Sequence, residues 1–210
     1  LRWFLNSMLV TTSSVLIGLI CAILAAYAFA NFSFQGRRTL FNLAISLMLV
    51  PPVTIAVPLF GFMNSLRLID TYFSIIIVYV GLILPFSIYI MTSFFVSIPK
   101  EMIEAGLIDG CSLIQILWKI VVPLSLPAVI TVIVVNALFI WNELLIAMVF
   151  LQSDNMRTLM AGIMSFKSKY NTDIPITMAG LSMISLPMIV LYLAGTKYFI
   201  RGFTTGSLKE

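Results

Sequence analysis

Histidine is absent from this sequence of 210 residues, and cysteine occurs only twice. Without histidine there is no Ser-His-Asp triad, imidazole metal site or ordinary proton shuttle, which disfavours an intramembrane serine hydrolase. Cys21 lies in an apolar run and Cys111 in a polar segment, so we expect no disulfide between them. The nucleotide-binding pattern G-x-x-x-x-G-K-[ST] is also missing. We therefore predict neither a catalytic residue nor a metal site.

Charge is scarce as well, because charged side chains make up 10% of the residues whereas 61% are hydrophobic. The mean hydropathy is +1.11, far above that of a soluble domain. The 12 Lys and Arg residues outnumber the 8 Asp and Glu residues. They are dispersed and form no basic stripe with interleaved aromatics, so nucleic-acid binding is not expected. The composition indicates an integral membrane protein that contacts lipid.

Apolar segments long enough to cross a bilayer as helices, which takes about 20 residues, occur five times. They lie at about Ser7–Ala30, Leu40–Met63, Tyr72–Val96, Leu124–Leu151 and Thr177–Ile200. Nothing alternates with the period of two that a membrane barrel needs, so we predict an all-α polytopic bundle. Pro51, Pro52 and Pro58 should kink the second helix, and Pro85 should kink the third. Asp70 has the position of an N-cap for the third helix.

Basic residues are divided unevenly between the two membrane sides of this topology. One side receives seven, namely Arg37, Arg38, Lys100, Lys119, Lys197, Arg201 and Lys209, and the other receives five, namely Arg2, Arg67, Arg157, Lys167 and Lys169. Because Lys and Arg favour the cytoplasmic side, we expect the C-terminus and the loop around Glu104 in the cytoplasm. The N-terminus is then outside with no helix before Leu1, which predicts a further helix upstream of this sequence.

A polar loop at residues 97–123 holds three of the eight acidic residues. Pro99 fits the first turn of a short helix, and Gly110 can end that helix in a left-handed conformation. Ser112 and Gln115 have the spacing of a capping box that begins a second helix. Two interpretations are equally favoured by these residues: a knob that fits a partner's groove, and an interfacial loop on the membrane surface. The knob's small and apolar face would consist of Met102, Ile103, Ala105, Gly106 and Leu107.

The same loop contains Glu104-Ala105-Gly106, three residues, Gly110, nine residues, and then Ile120-Val121-Val122-Pro123. This spacing resembles the EAA signature of ABC importer permeases, written E-A-A, three residues, G, nine residues, I-x-L-P. Gly106 replaces the third residue and Val122 the usual leucine. The resemblance covers essentially the whole chain and points to maltose-type (MalG-like) carbohydrate permeases, inner-membrane components of binding-protein-dependent transport systems. Other matching segments are Asn6-Ser7, residues 26–30, Phe34, Gly36-Arg37, Pro51-Pro52, Pro58-Leu59, residues 84–86, Trp141-Asn142-Glu143 and residues 201–206.

This resemblance implies a type I ABC importer permease in a bacterial or archaeal cytoplasmic membrane. It implies one transmembrane domain over residues 1–210, with a cytoplasmic coupling loop at about 97–123, in a family that usually has six spanning helices. The implied partners are a second permease in a heterodimer, two ATPase subunits and an extracytoplasmic sugar-binding protein. ATP and Mg²⁺ would be used by the ATPases, and this chain would be neither an enzyme nor a cofactor carrier. The implied coupling residues are Glu104 as charged anchor, Gly110 as hinge, and Ala105, Gly106, Asp109, Ile120 and Pro123.

A second candidate region combines Trp141, Asn142 and Glu143, with Asn136 nearby. A stacking face beside hydrogen-bonding groups suits a sugar. An interfacial tryptophan with a capping or helix-to-helix hydrogen bond explains the same residues, and we favour this second interpretation. Glu143, an acid inside a predicted span, should face a partner, a cavity or the outer interface, and it is the feature that an ion-coupled secondary transporter would need. In the outer loop, the resemblance implies binding-protein contacts by Lys167, Lys169, Tyr170, Asn171 and Asp173.

Overall fold

A computed structural model describes residues 1–164 and 174–206, and most of these residues are helical. In chain order the helices are α1 (Arg2–Asn31), α2 (Arg37–Ser46), α3 (Pro52–Ser65), α4 (Tyr72–Val96), α5 (Lys100–Ile108), α6 (Leu113–Ile116), α7 (Val122–Leu124), α8 (Leu126–Asn142), α9 (Leu145–Phe150), α10 (Leu159–Met164) and α11 (Ile174–Gly206). A 3-10 turn (Leu47–Leu49) follows α2, and a π-helical turn (Leu117–Val121) joins α6 to α7. The described residues contain no strand, which confirms the all-α prediction.

Three helices are each long and apolar enough to cross a membrane: α1, α4 and the Thr177–Gly195 part of α11. Two bent pairs also qualify, α2 with α3 at 101° and Leu113–Leu124 with α8 at 78°. Counted as one span each, the bent pairs bring the described part of the chain to the predicted five spans. The predicted span Leu124–Leu151 is divided, however, because α8 ends at Asn142 and α9 begins at Leu145.

The second predicted span, Leu40–Met63, is a sharp corner instead of a kinked helix. Val50 (φ −84°, ψ 116°) and Pro51 (φ −61°, ψ 131°) are both extended, and each precedes a proline. A proline ring clashes with a helical conformation of the residue before it, so two consecutive prolines force two extended residues. The helix therefore stops and turns by 101°. Pro58 and Pro85, in contrast, lie inside α3 and α4 without ending them.

Helices α1 and α4 form the most extensive helix pair, and α8 packs against both and against α11. The close approach of α1 and α4 depends on Gly18, where a Cβ atom would lie 2.7 Å from Cδ1 of Ile83. Small residues allow such approach between membrane helices. Buried apolar side chains form one cluster towards each end of α1 and α4 and a third around Trp141. Cys21 and Cys111 are both free, as predicted.

The bundle has two distinct ends, which we call the loop end, where residues 97–125 lie, and the far end, where α1 begins. At the far end the side-chain amide of Asn6 donates to the carbonyls of Asn155 and Arg157, both at 2.9 Å. The hydroxyl of Tyr72 donates to Oδ1 of Asn6 at 2.7 Å. The start of α1, the start of α4 and the segment after α9 therefore meet on one side, as the predicted topology requires.

Asp70 does not cap α4, contrary to the sequence prediction. The cap is Thr71, whose hydroxyl oxygen accepts from the backbone N–H of Ser74 at 3.3 Å. Asp70 has a positive φ of 63°, and its carboxylate accepts from the backbone N–H groups of Gln152 and Ser153, both at 3.0 Å, and from the Ser153 hydroxyl. Its side chain is thus turned away from α4 and connects two far-end loops.

Candidate functional site

Helix α5 ends in a Schellman motif centred on Gly110. The φ of Gly110 is 79°, which confirms the predicted left-handed conformation. Its N–H donates to the carbonyl of Leu107 at 3.0 Å, and the N–H of Cys111 donates to that of Gly106 at 2.9 Å. These two bonds satisfy carbonyls at the helix end and define the direction in which the chain leaves it. Gly110 is therefore held by hydrogen bonds at the turn between the two loop helices.

The second loop helix begins with the predicted capping box. The Ser112 hydroxyl accepts from the N–H of Gln115 at 3.3 Å, and the Gln115 side chain accepts from the N–H of Ser112 at 2.8 Å. The helix continues through the π-helical turn to Leu124, and Ser125 (φ −96°, ψ 17°) separates it from α8. Because the two segments meet at 78°, the second loop helix lies across the end of the spanning helix.

Gly106 faces into the protein, which corrects the expectation that it belongs to a partner-facing surface. A Cβ atom at Gly106 would lie 2.9 Å from Cδ1 of Ile120 and 3.3 Å from Cγ1 of Ile116. Ile103, one turn earlier, is also half-buried against this cluster. The third motif position therefore faces the second loop helix, and a larger side chain there would require Ile116 and Ile120 to move. Of the predicted small and apolar face, the exposed members are Met102, Ala105 and Leu107.

The outward side of the loop combines exposed apolar side chains with acidic ones. Glu104, Ala105 and Asp109 are exposed. Beside them Ile108 is 86% exposed and Ile114 61% exposed. Among the exposed residues from 101 to 118, we call the apolar and acidic ones the loop surface; they are Glu101, Met102, Glu104, Ala105, Leu107, Ile108, Asp109, Leu113, Ile114 and Trp118. The sequence analysis did not predict Ile108, Ile114 and Trp118 as part of this surface. For Ile108 there was a signal, because it is an apolar residue next to Asp109 in a polar loop.

The inward side of the loop is anchored in the core. Ile116, Leu117 and Val121 are fully buried, and Ile120 is half-buried beside them, whereas Pro123 is exposed. The four isoleucine, leucine and valine side chains pack in one cluster with side chains of three spanning helices: Leu19, Ile23, Ala26 and Tyr27 of α1, Met91 and Phe95 of α4, and Ala128, Val129 and Val132 of α8. Protein interiors are densely packed and transmit displacement, so a force on the loop surface reaches all three helices.

Glu143 divides α8 from α9 and joins them to α4. Its Oε1 accepts from the N–H of Ile146 at 2.9 Å, and its Oε2 accepts from the N–H of Ala147 at 3.0 Å. Oε2 also accepts from the hydroxyl of Tyr79 on α4 at 2.7 Å. These contacts match the capping and helix-to-helix interpretation of this residue. A carboxylate that already accepts from three donors is poorly suited to capture an ion.

Trp141 is 3% exposed, so its ring is not a free stacking surface. Its indole N–H donates to the carbonyl of Ile184 on α11 at 3.0 Å. Its ring meets that of Phe4 edge-on, with 5.7 Å between the ring centroids. Asn142 beside it is exposed and donates to the carbonyl of Leu138 at 2.7 Å. Among the three consecutive candidates, Asn142 is therefore the most accessible.

Asn136 is buried and donates to Oγ of Ser87 on α4 at 2.8 Å. It borders a cavity of about 720 Å³ between α3, α4 and α8, whose other lining residues are apolar or glycine. The structure thus places Asn136 apart from Trp141 and does not gather the four candidates into one sugar site. Their contact with substrate stays a prediction. The candidate binding-protein contacts Lys167, Lys169, Tyr170, Asn171 and Asp173 lie outside the described residues.

The chain is similar to known proteins in family, sequence and fold. Residues 14–204 match the family described as the binding-protein-dependent transport system inner membrane component. A putative ABC transporter permease protein (ORF2) of Caldicellulosiruptor sp. (strain Rt8B.4) is 40% identical over 97% of this chain and 74% of its own length. The melibiose/raffinose/stachyose import permease protein MelC of Bacillus subtilis (strain 168) is 34% identical over 98% of this chain and 75% of its own.

The fold is also shared with a solved transporter. A chain in the crystal structure of a bacterial ABC transporter involved in the import of the acidic polysaccharide alginate superimposes with a TM-score of 0.72. The alignment covers 95% of this chain and 78% of the other, at 15% sequence identity. The two chains therefore share their overall helical fold.

Proposed function

The chain belongs to the family of binding-protein-dependent transport system inner membrane components, and from this premise we propose that it is the permease subunit of an ATP-driven carbohydrate importer. The proposal rests on relatives such as the melibiose/raffinose/stachyose permease, which aligns with nearly the whole chain. Sugars or oligosaccharides are the substrate class. The permease supplies the path through the membrane, and ATP is hydrolysed by a partner.

We propose three kinds of protein partner for this subunit. A second permease completes the pathway, preferably as a heterodimer, and two cytoplasmic ATPase subunits use ATP and Mg²⁺. An extracytoplasmic sugar-binding protein delivers the substrate to the far end. With the C-terminus and the loop end in the cytoplasm, the loop surface faces the ATPases. The uneven distribution of Lys and Arg supports this orientation.

The observation that carries the coupling role is the two-sided construction of the loop. Its outward side exposes Ile108 and Ile114, and Glu104 lies one helical turn before Ile108; exposed apolar side chains rimmed by polar ones mark protein interaction sites. Its inward side is buried among α1, α4 and α8. Closure of the two ATPases would displace the loop as a rigid body and change the arrangement of the spanning helices. In this scheme Glu104 is the charged anchor and Gly110 is the hinge between the two loop helices.

An ion-coupled secondary transporter is the alternative function, and the structure does not favour it. Such a protein needs an ionisable group available to the ion near the membrane centre. Glu143 instead accepts hydrogen bonds from the Tyr79 hydroxyl and from the first-turn N–H groups of Ile146 and Ala147 in α9.

The proposed function is tested by reconstitution. The chain is purified with its associated subunits, placed in proteoliposomes with the binding protein, and supplied with labelled melibiose, raffinose or arabino-oligosaccharide. We expect uptake of at least one sugar that depends on ATP and on the binding protein. Uptake that follows a proton or sodium gradient and persists without ATP would overturn the proposal.

A matched pair of variants tests the role of the loop surface. Ile108→Asp places a charge at the most exposed apolar side chain of the loop surface, and Leu66→Asp does so at an exposed leucine of the far end. We expect Ile108→Asp to weaken co-purification of the ATPase by about tenfold or more, as for an anchor residue of an interface. Leu66→Asp should leave it unchanged. Equal effects of the two variants would contradict the assignment.

A further inference from the structure

A basic cavity lies at the loop end, and none of its lining residues belongs to the loop surface. It has a volume of about 660 Å³ and lies between the end of α1, the start of α2 and the end of α4. Its lining residues are Phe29, Phe34, Gly36, Arg37, Arg38, Thr39, Phe41, Thr92 and Val96. Neither Arg37 nor Arg38 forms an ion pair with an acidic residue in the described part of the chain. The cavity therefore carries two positive charges that no side chain there neutralises.

Backbone donors add to this positive character. Helix α2 has ten residues, begins after Gly36 and has no side-chain cap and no acidic residue in its first turn. The N–H groups of Arg38 and Thr39 have no hydrogen-bond partner among residues 1–164 and 174–206. Unsatisfied N–H groups and the helix dipole together favour an anion at this place.

A second, independent observation that points to a ligand comes from α4. Thr92 lines the same cavity and is only 6% exposed, yet its hydroxyl has no hydrogen-bond partner within the described structure. A buried polar group without a hydrogen-bond partner destabilises the folded protein, and most buried polar groups in native proteins therefore have a partner. The hydroxyl is thus a donor in need of an acceptor, in a cavity that already holds guanidinium and backbone donors.

The apolar part of the cavity identifies the kind of anion. Phe29 packs against Phe34 and Phe41, with ring centroids 6.0 and 5.4 Å apart. Val96, near the end of α4, is 60% exposed. A phosphate group between arginines with an apolar wall beside it is the arrangement of a phospholipid at the membrane surface. Basic pockets between spanning helices bind the headgroups of anionic lipids in this way.

We propose that this cavity binds the phosphate of an anionic phospholipid. Arg37, Arg38 and the first-turn N–H groups of α2 bind the phosphate oxygens, and the Thr92 hydroxyl donates to one of them. The acyl chains pass along the aromatic side chains and Val96. A bound lipid would hold the start of α2 against the end of α4, next to the loop that we assign to the ATPase.

Native mass spectrometry of the purified full chain in detergent tests this proposal. The probes are phosphatidylglycerol, phosphatidylcholine with the same acyl chains, and inorganic phosphate. We expect phosphatidylglycerol to bind more tightly than phosphatidylcholine. The double variant Arg37→Gln/Arg38→Gln should weaken phosphatidylglycerol binding by roughly thirtyfold, about fivefold for each positive charge. The control Arg2→Gln/Arg67→Gln removes two exposed arginines of the far end and should change little.

A second variant separates a ligand contact from a packing role. Thr92→Val keeps the side-chain shape and removes the unpaired hydroxyl. We expect it to weaken phosphatidylglycerol binding about tenfold or more, as for loss of a hydrogen bond to a charged group. The lipid-free chain should unfold at the same temperature or higher, because no hydrogen bond is lost there.

Four results would overturn the proposal. The first is equal loss of lipid binding in the two double-arginine variants, and the second is unchanged lipid binding by Thr92→Val. The third is equal binding of phosphatidylcholine and phosphatidylglycerol. The fourth is displacement of phosphatidylglycerol by an equal concentration of inorganic phosphate, which would make the cavity a site for a free anion.

Discussion

Single side chains at the far end hold together elements that are distant in sequence. Glu143 and Tyr79 are 64 residues apart and share a hydrogen bond of 2.7 Å. The carboxylate of Asp70 accepts from Gln152 and Ser153, which lie 82 and 83 positions later in the sequence. The sequence indicated a local role for Asp70, as a helix cap, and a capping or helix-to-helix hydrogen bond without a named partner for Glu143; in the fold both have long-range partners. Such contacts cannot be read from sequence spacing, because they depend on how the helices pack.

Removal of the Glu143 carboxylate should destabilise the protein. Glu143→Ala removes a cap of α9, which costs about 1 kcal/mol, and leaves the buried Tyr79 hydroxyl unpaired, which costs about 1–3 kcal/mol. We expect thermal unfolding in detergent to shift down by several degrees. The double variant Glu143→Ala/Tyr79→Phe should lose less than the sum of the single losses, because the unpaired donor is gone. Strict additivity, or an equal loss in the exposed control Asn142→Ala, would contradict this role.

The hydrogen bonds of Asp70 make one far-end contact sensitive to acid. Partial burial raises the pKa of this carboxyl, but the hydrogen bonds from Ser153 and Gln152 outweigh it and bring the pKa below its ordinary value of 3.8. A pKa that is lower in the folded state contributes stability above the unfolded value, and this contribution is lost as the pH falls through the folded value.

The acid sensitivity can be measured with Asp70→Asn, which tolerates the positive φ of this position and cannot ionise. We expect the unfolding temperature of the wild type to fall more steeply than that of Asp70→Asn as the pH is lowered from 5 to 3. Asp154→Asn, which removes the acid of an exposed ion pair with Arg157, is the matched control. Identical acid profiles of wild type and Asp70→Asn would show that this contact does not contribute.

At the scale of elements, local chemistry decided which boundaries were predictable. Gly110 and the Ser112–Gln115 capping box were read correctly, because their signals are contained within a few residues. The two prolines at 51 and 52 indicated a distortion, and only the structure showed a corner of 101°. The break between α8 and α9 has neither glycine nor proline, and Tyr79 on another helix holds the carboxylate that caps α9.

The turn at Gly110 gives a graded test of the loop geometry. Asn tolerates a left-handed backbone, Ala pays about 1–2 kcal/mol for it, and Pro can neither adopt a φ of 79° nor donate to Leu107. We therefore expect ATP-dependent uptake to decrease from Gly110→Asn to Gly110→Ala and to vanish in Gly110→Pro. Membrane insertion, checked by immunoblot of washed membranes, should be unchanged in all three. Normal uptake by Gly110→Pro would contradict a coupling role for this turn.

At the scale of the whole molecule, the sequence predicted five spans and grouped the N-terminus and the segment after residue 151 at the same end of the bundle. The contacts of Asn6 with Asn155 and Arg157 show the first and later far-end segments together. Which loop residues face inward and which face outward was not predictable, because Gly106 is buried and Ile108, two positions later, is exposed. Only the packed fold shows that the motif glycine supports the loop from inside while Ile108 is presented outside.

The central claim is that the loop surface contacts the ATPase, and cysteine crosslinking tests it most directly. The two native cysteines are replaced (Cys21→Ala, Cys111→Ala), and Ile108→Cys or Leu66→Cys is introduced into the assembled transporter. A bifunctional thiol-to-amine reagent is then added, and the products are identified by mass spectrometry. We expect a crosslink between Ile108→Cys and the ATPase subunit, and none between Leu66→Cys and that subunit. An ATPase crosslink from Leu66→Cys, with none from Ile108→Cys, would contradict the claim.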